Sequence, residues 1–408
     1  MKKTILLMLL TSLFLMSHAQ APHLFEHTYP IVTEEDPMIR GLMNQVSKDS
    51  VEATIDHLQS YFTRRWDSQM VYQVQDWLYN TFVGMGFDSV YLHDFPVYIH
   101  DSLCETSDNV IAVQRGVLYP DEYVVCGAHY DSYNRGPGHP DSLRAPGADD
   151  NASGVAGILE TARLLSRCKF ERSIIYANWA AEEIGLIGSA AYAKDCADQL
   201  MNIVGYFNLD MTGYLEEGSD IHVNLLYTTQ DSLIANYVFN FSHVYYPEMR
   251  IWQDWLNGGD SDYSSFNRNG YAAVHPHENT HHNSPFIHTP DDILGLSVNN
   301  MDQAKRFTEL NLGLVATLAG LVSNGVDDVA VDDLMVYPNP ASDMITVRGA
   351  QIKEVEVYNV VGQRLLQQSF SDTEECQVEI GSLFSGIYLV KVISKEGSSV
   401  TEKLVIQK

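Results

Sequence analysis

The sequence predicts an α/β domain, with a mostly parallel central sheet and helices on both faces, followed by a small all-β sandwich domain. Three observations support this fold class. Before Asn324, short apolar and β-branched runs alternate with amphipathic helical segments, which is typical of a parallel sheet covered on both sides. After Asn324 the helical period ends, and short strands separated by turn residues follow. The length of 408 residues also exceeds the roughly 100–200 residues of a usual domain.

The first 19 residues have the features of a signal peptide. Lys2 and Lys3 precede an apolar run over residues 5–16, and the small residues at 17 and 19 suit cleavage before Gln20. The run is shorter than the roughly 20 residues that span a bilayer, and no later stretch is long and apolar enough to do so. We therefore expect an exported chain without a membrane span. Residues 20–48 are a candidate pro-segment.

The predicted catalytic domain covers residues 49–324. Apolar residues at spacings of three and four predict amphipathic helices over residues 50–86. A further helix is predicted over residues 154–165, with Ser153 or Asn151 placed to cap it. Four runs between the helices are predicted as strands: residues 110–113, 123–126, 173–177 and 203–207. In such sheets the reactive groups gather where strands end, so these junctions are the places to search.

Residues 325–333 (GVDDVAVDD) are predicted to be an acidic linker, and residues 334–408 a second domain of a different class. The predicted strands of this sandwich are residues 344–347, 354–358, 377–380, 387–393 and 403–406. The domain contains no histidine and no clustered carboxylates of metal-ligand type. The chemistry is therefore expected upstream.

Composition excludes several classes of protein. With 25 Lys and Arg against 53 Asp and Glu, the net charge is −28, which disfavours binding to nucleic acid or anionic membranes. A hydrophobic content of 45% indicates a globular chain rather than a disordered one. The five cysteines have no repeated short spacing and describe neither a disulfide framework nor a zinc knuckle. Cys168 and Cys196 could pair near predicted helix ends, with buried free thiols as the equal alternative.

Five upstream segments place metal-type ligands at strand ends or in the loops beyond them. In residues 127–131 (GAHYD), His129 could bind a metal while Asp131 orients its other ring nitrogen. In residues 147–154 (GADDNASG), a carboxylate at the start of the predicted helix could bridge two cations. The alternatives are a histidine hydrogen-bonded within its loop and acids that merely favour a helix N-terminus.

The third segment is residues 180–185 (AAEEIG), which follow a strongly apolar strand. Adjacent glutamates at the end of a buried strand repel each other and are costly to desolvate unless a cation is present. Because Glu182 and Glu183 point in different directions, one could bind metal while the other accepts a proton from water. A solvated acidic turn is the alternative.

The fourth and fifth segments are residues 208–213 (NLDMTG), with Asp210 at a strand end, and residues 287–292 (IHTPDD), with His288 in a loop. Each is ambiguous alone, because polar loop residues are common. Together the five segments supply two histidines and three carboxylates, plus a spare glutamate and an orienting aspartate. Such a nitrogen and oxygen set suits two Zn²⁺ ions best, and Mn²⁺ or Co²⁺ less well.

In residue type, order and spacing, these five motifs resemble the co-catalytic di-zinc aminopeptidases of the bacterial extracellular leucyl aminopeptidase type. The resemblance extends over about residues 50–322 and implies a zinc exopeptidase fold. It also implies an enzyme that removes N-terminal residues from peptides with a free N-terminus. It implies Glu182 as general base, Asp131 as the acid that orients the first histidine, and Asp150 as the ligand shared by both zinc ions. The full set of metal ligands implied is His129, Asp150, Glu183, Asp210 and His288.

The sequence departs from this family in two places. Some relatives carry a tyrosine and a disulfide just before a Ser-Asp pair, which here is Ser261 and Asp262, whereas residues 255–260 (WLNGGD) contain neither. Help from that tyrosine in the transition state is therefore in doubt. Residues 275–282 (HPHENTHH) stand where relatives often have apolar pocket residues. They could form a polar specificity pocket, an extra metal site or a solvated surface loop.

Two other functions compete with the aminopeptidase. A glutaminyl cyclase would use the same fold and several of the same positions but only one zinc ion. A metal-free binding protein on this scaffold would be expected to have lost metal ligands. It ranks last because all five ligand positions are filled.

The second domain resembles a type IX secretion sorting domain over residues 334–408. The residues that carry the resemblance are 337–341 (YPNPA), 361–363 (VGQ), 385–390 (SGIYLV) and the basic ending 402–408 (EKLVIQK). The resemblance implies passage through the periplasm and the outer membrane on the type IX machinery, to the cell surface or the medium. A carbohydrate- or protein-binding sandwich is the alternative.

Overall fold

An eight-stranded mixed sheet forms the centre of the first of two structural units, which divide after residue 322. The computed structural model describes residues 21–256, 259–322, 335–359, 364–394 and 399–408. The predicted signal peptide and the predicted linker lie outside the described residues. Each unit has its own hydrophobic core.

The sheet of the first unit runs in the order β1-β4-β6-β5-β7-β10-β8-β9. Its strands, together with the separate β2-β3 hairpin, are β1 Ser89–His93, β2 Val97–Ile99, β3 Ser102–Cys104, β4 Asn109–Gln114, β5 Tyr119–His129, β6 Arg172–Trp179, β7 Asn202–Asn208, β8 His222–Leu226, β9 Arg250–Asp254 and β10 Ala273–His277. The central strands β6, β5, β7 and β10 are parallel, and the antiparallel pairings lie towards the two sides. All four predicted strands are present, in β4 to β7.

Eight helices are described in the first unit. They are α1 Pro37–Met43, α2 Lys48–Ser60, α3 Met70–Met85, α4 Gly154–Leu165, α5 Ile187–Asp198, α6 Ser232–Tyr245, α7 Tyr263–Arg268 and α8 Met301–Ala319. The predicted helix over residues 154–165 coincides with α4. Asn151 Oδ1 accepts the Gly154 N–H at 2.9 Å, whereas Ser153 makes no side-chain cap, so Asn151 holds the start of this helix.

The helices cover both faces of the sheet, as the alternating pattern predicts. One face packs on α2, α4 and α8 in the larger core, and the other packs on α5 and α7 in a smaller, aromatic core. β6 is buried along nearly its whole length, which explains its continuous apolar sequence. The site-bearing strands are thus held rigidly between two layers of helices.

The segment from residue 21 to α1 lies against the first unit. The Leu24 N–H donates to the carbonyl of Gly270, and the Tyr29 hydroxyl donates to the carbonyl of Val204 in β7. Further along, Asn240 of α6 accepts the Val32 N–H and donates to the Val32 carbonyl. That this segment is removed as a pro-segment stays a prediction; here it is tied to α6 and to the sheet.

The second unit is an antiparallel β domain, as predicted. Its strands are β11 Met335–Tyr337, β12 Met344–Asn359, β13 Arg364–Glu379, β14 Gly386–Ser394 and β15 Ser399–Ile406. They form one sheet in the order β11-β12-β14-β15, with β13 paired to β12. The single strand β12 covers two of the predicted strands, and a bulge between Arg348 and Glu354 separates its two halves.

All five cysteines are free thiols, so of the two alternatives left open for Cys168 and Cys196, the free thiols hold and the disulfide does not form. Cys196 is buried in α5 among aromatic side chains, where a thiol packs as a small apolar group. Within the described ranges, no helix combines the length and apolarity that crossing a bilayer requires.

Candidate metal centre

The predicted site residues lie along one edge of the central sheet. His129 is the last residue of β5, Glu182 and Glu183 follow β6, and Asp210 follows β7. These three strands are parallel neighbours, so their carboxyl ends meet at the same edge. The order of the sheet therefore brings together side chains that are far apart in the sequence.

Asp150 enters the site from the turn Ala148–Ser153 that precedes α4. The turn starts at Gly147, whose φ of 55° is unfavourable for residues with a side chain. The carboxylate of Asp292 accepts the N–H groups of Asp149 and Asp150, at 2.9 and 3.3 Å. This paired acceptor fixes the turn, and with it the position of the Asp150 side chain.

His288 reaches the site from the loop between β10 and α8. Its φ is 60°, and Ala181 and Met211 beside the other site residues have φ values of 56°. Left-handed backbone at residues other than glycine costs free energy and is concentrated at functional sites. The ring of Tyr133 stands edge-on to the His288 imidazole, with the centroids 5.4 Å apart. The loop backbone and this aromatic contact together set the direction of the ring.

One group of side chains surrounds Nε2 of His129. The distances from this nitrogen are 3.3 Å to Asp150 Oδ1, 3.4 Å to Asp210 Oδ1 and 4.0 Å to Glu182 Oε2. Glu182 is the most distant of the three carboxylates, although it lies close enough to belong to the same cluster.

A second group surrounds Nε2 of His288, which lies 3.0 Å from Asp150 Oδ2 and 2.9 Å from Glu183 Oε2. The two oxygens of Asp150 are therefore divided between the two histidines. A carboxylate placed in this way can bind two cations at once, one through each oxygen.

Asp131 connects the first histidine to the two glutamates. Its Oδ1 and Oδ2 accept the backbone N–H groups of Glu182 and Glu183, at 3.1 and 3.2 Å. Nδ1 of His129 lies 3.2 Å from the carbonyl oxygen of Asp131 and 3.4 Å from its Oδ1. The backbone carbonyl thus orients the imidazole at least as closely as the carboxylate does, and the carboxylate also holds the loop after β6.

The residues present fit two divalent cations. Buried polar atoms nearly always have a hydrogen-bond partner, yet His129 Nε2, Asp210 Oδ1 and Glu183 Oε1 have none among the described residues. Their nitrogen and oxygen chemistry is that of zinc ligands. The ligand atoms that lie within 4.8 Å of one another form two groups, His129, Glu182 and Asp210, and Asp150, Glu183 and His288.

Without a cation, the site holds protons. Burial raises the pKa of Glu182 well above its usual range and raises that of Glu183 to about 8. Burial lowers the pKa of His129, but the carboxylates of Glu182 and Asp210 outweigh it and raise the value well above 6.5. A bound divalent cation would replace these protons and let the carboxylates ionise.

The metal-free protein is expected to lose stability between pH 7 and pH 9. Burial raises the pKa of Glu183 and of Glu278 from 4.5 to about 8. Burial lowers the pKa of His288, but hydrogen bonds to Asp150 and Glu183 raise it to about 10. All three folded-state values exceed the unfolded ones, so the folded chain binds more protons in this window and stability falls as pH rises.

Urea unfolding in the presence of a chelator would show this as a lower midpoint at pH 9 than at pH 7. With saturating zinc the difference should shrink, because a cation takes the place of the protons on Glu183 and His288. A metal-free protein that is equally stable at both pH values would contradict the assignment of these raised pKa values.

A cleft of about 530 Å³ opens over both groups. Besides the acidic site residues and His288, its lining includes Arg135, Leu256, Asp260, His277, Asn283 and Ile287. Its volume falls within the range of about 300–1,000 Å³ that is usual for the binding sites of small ligands.

The histidine-rich segment over residues 275–282 divides into two parts. His275 and His277 are buried on β10, and Nε2 of His275 lies 3.1 Å from the carbonyl oxygen of Asp210. His281 and His282 have more than half of their side chains exposed. Neither group of candidate ligands found in the described ranges includes these histidines. The segment therefore contributes His277 to the cleft and is otherwise packed or solvated.

Sequence reasoning missed Arg64 and the contact of Asn208, both of which support the site. Arg64 is fully buried and donates to the carbonyls of Tyr130 and Gly147, which belong to the first and the second of the five motifs. Asn208 lies within the fourth motif, but its contact with Ser261 could not be foreseen. Nothing in the sequence around Arg64 marks it, because its partners are backbone atoms distant in the chain.

Two family models match the chain. Residues 109–313, which include every predicted site residue, match the model of peptidase family M28. Residues 335–407 match the secretion system C-terminal sorting domain. The second match indicates that the C-terminal unit directs type IX secretion to the cell surface or the medium, as the sequence predicts.

Known relatives agree with the first of these matches. A probable zinc metalloprotease of Pyrenophora teres is 30% identical over 227 residues, or 48% of this chain and 47% of the relative. The chain thus spans about half the length of that relative. Leucine aminopeptidase 1 of Penicillium rubens is 29% identical over 67% of this chain and 73% of its own length. The solved structure of LapA aminopeptidase from Legionella pneumophila is 25% identical, with a TM-score of 0.61 over 72% of this chain and 78% of that one.

Proposed function

The chain belongs to peptidase family M28, and from this premise we propose that it is an exported aminopeptidase that uses two zinc ions. The observation that carries the proposal is the division of the two Asp150 oxygens between His129 and His288. A single carboxylate so placed supports two cations side by side. Two of the relatives reported above are named aminopeptidases, which supports the N-terminal residue of a peptide as the one that is removed.

In this proposal, one zinc ion would be held by His129, Asp150 and Asp210, and the other by Asp150, Glu183 and His288. When bound, zinc ions lower the pKa of water and polarise the scissile carbonyl. The protein supplies ligands that are already gathered and largely buried, so little rearrangement is needed on binding.

Glu182 is proposed as the general base. Its carboxylate faces the same cluster as the ligands but lies further from His129 than Asp150 and Asp210 do. This leaves room for it to accept a proton from the attacking water and to return that proton to the leaving amine. Asp131 is proposed to keep it in place, because its carboxylate holds the Glu182 N–H.

A panel of aminoacyl substrates would test the proposed activity. Metal-free protein is expected to be inactive, and adding zinc is expected to restore release of N-terminal residues from at least one member. Two zinc ions per chain should be needed for full activity, because the two proposed zinc sites are adjacent and have Asp150 as a common ligand. If zinc restored release of the N-terminal residue from no substrate of the panel, the proposed aminopeptidase activity would be contradicted.

The same preparation distinguishes the glutaminyl cyclase. That enzyme would release ammonia from a peptide with N-terminal Gln and would need one zinc ion. The group around His129 is complete, and its His129 Nε2 and Asp210 Oδ1 atoms have no hydrogen-bond partner among the described residues. This group could hold a second ion beside the one at His288, which favours the aminopeptidase. Ammonia release at one zinc ion per chain would reverse this choice.

A further inference from the structure

A continuous chain of buried hydrogen bonds ends on Asp210. Trp179 Nε1 donates to the Tyr206 hydroxyl at 2.8 Å, and this hydroxyl donates to Asn208 Oδ1 at 2.7 Å. Asn208 Nδ2 then donates to Ser261 Oγ at 2.7 Å, and Ser261 Oγ donates to Asp210 Oδ2 at 2.7 Å. Apart from Asp210, which is 7% exposed, every member is completely buried.

The donor-to-acceptor direction of these hydrogen bonds is fixed at Trp179, the end furthest from Asp210. The indole N–H of Trp179 can only donate, so the Tyr206 oxygen accepts it and its own hydrogen must point to Asn208. The Asn208 oxygen therefore faces Tyr206, and its amide hydrogens face Ser261. The Ser261 hydrogen is then left for Asp210.

The sheet makes this arrangement possible through a glycine. β5 lies between β6, which carries Trp179, and β7, which carries Tyr206 and Asn208. Gly127 of β5 is paired in register with Asn208, and a Cβ atom there would lie 2.7 Å from Trp179 Nε1. The indole reaches across β5 only because this position has no side chain.

We propose that Trp179, Tyr206 and Asn208 are positioning residues for the zinc site at Asp210. By directing the Ser261 hydroxyl at Oδ2, they fix the rotation of the Asp210 carboxylate and present Oδ1 to the space beside His129 Nε2. Partners that orient metal ligands typically contribute about 10–100-fold to metal affinity. This inference rests on the proposed function, because it requires a zinc ion at Asp210.

Tyr206→Phe is the most informative change. The phenylalanine keeps the ring but cannot bind Asn208, so the Asn208 amide is free to turn and accept the Ser261 hydrogen. Zinc titration of the metal-free protein against a competing chelator is expected to show about 10-fold weaker binding at one of the two sites. Tyr271→Phe is the matched control, because Tyr271 is another buried tyrosine of the same core whose hydroxyl donates to the Met201 carbonyl instead. It should leave both affinities unchanged.

We call the hydrogen bonds from Trp179 to Asp210 the relay. A double-mutant cycle separates the effect of the relay on zinc affinity from a general loss of packing. In a Ser261→Ala background the relay is already cut, so adding Tyr206→Phe should cause no further loss of zinc affinity. An equal loss in both backgrounds, or no loss in either, would overturn the proposal. If the parent protein bound no zinc at all, the proposed function would fail and the relay with it. If it bound two zinc ions and the Tyr206 variant matched the parent, only the relay would fail.

Discussion

Glu182→Gln is expected to lower kcat by about 10³-fold while both zinc ions remain bound. Glutamine has the same shape as glutamate but cannot accept a proton at neutral pH. Because Glu182 lies 4.0 Å from His129 Nε2, further than the two carboxylates proposed as ligands, we expect zinc binding not to require its charge. Turnover of aminoacyl substrates and zinc content, measured on the same preparation, would show the two effects separately.

Glu183→Gln is the matched control for this change. Glu183 is the next residue, but its Oε2 lies 2.9 Å from His288 Nε2, within the second group. Its replacement should reduce zinc content as well as activity, whereas Glu52→Gln on the exposed side of α2 should change neither. Near-normal hydrolysis by Glu182→Gln would refute its role as general base. If Glu182→Gln lost as much zinc as Glu183→Gln, Glu182 would be a metal ligand instead.

Arg64→Met is expected to destabilise the first unit by at least about 3 kcal/mol. The guanidinium is completely buried and donates to four backbone carbonyls, those of Leu58, Tyr130, Pro146 and Gly147. Each buried carbonyl left without a donor costs about 1–3 kcal/mol. Burial also lowers the pKa of Arg64 to about 10, so removing the buried charge offsets part of this loss.

Two further changes at this position test the explanation. Lysine keeps the charge but cannot reach four carbonyls in one plane, so Arg64→Lys should recover only part of the stability. Arg65→Met removes a partly exposed pair with Asp67 and should cost about 1 kcal/mol or less. The measurement is urea unfolding of the zinc-loaded protein. Full recovery by lysine would show that the charge, and not the geometry of the donors, stabilises the turn before Asp150.

Much of the fold could be predicted from local patterns. The apolar runs of β5, β6 and β7 and the helix α4 are encoded by the residues that form them, so their positions could be read directly. The second unit was also recognisable, although its predicted strands were shorter than β12 and β13. A bulge in β12 interrupts the apolar alternation, and the pattern therefore indicated two strands where one continues.

Other features had no local signal. The cap of α4 had two candidates, and only the position of the Asn151 side chain decided between them. Whether Cys168 and Cys196 pair was also left open, because proximity to helix ends says nothing about distance in space, and only the structure shows both as free thiols. The histidines of residues 275–282 look alike in sequence, but β10 buries the first two and the following loop exposes the last two.

The sequence alone determined the order of the motifs and the chemistry of the side chains, because three of the motifs stand at the ends of apolar strands and the other two in the loops beyond. Only the tertiary structure decided which oxygen of Asp150 faces which histidine. It also revealed that Arg64 donates hydrogen bonds to the carbonyls of Tyr130 and Gly147, and that Trp179 reaches Tyr206 across Gly127. These contacts depend on the order of strands in the sheet, in which β5 lies between β6 and β7. Strand order is set by packing between distant segments, and no local pattern records it.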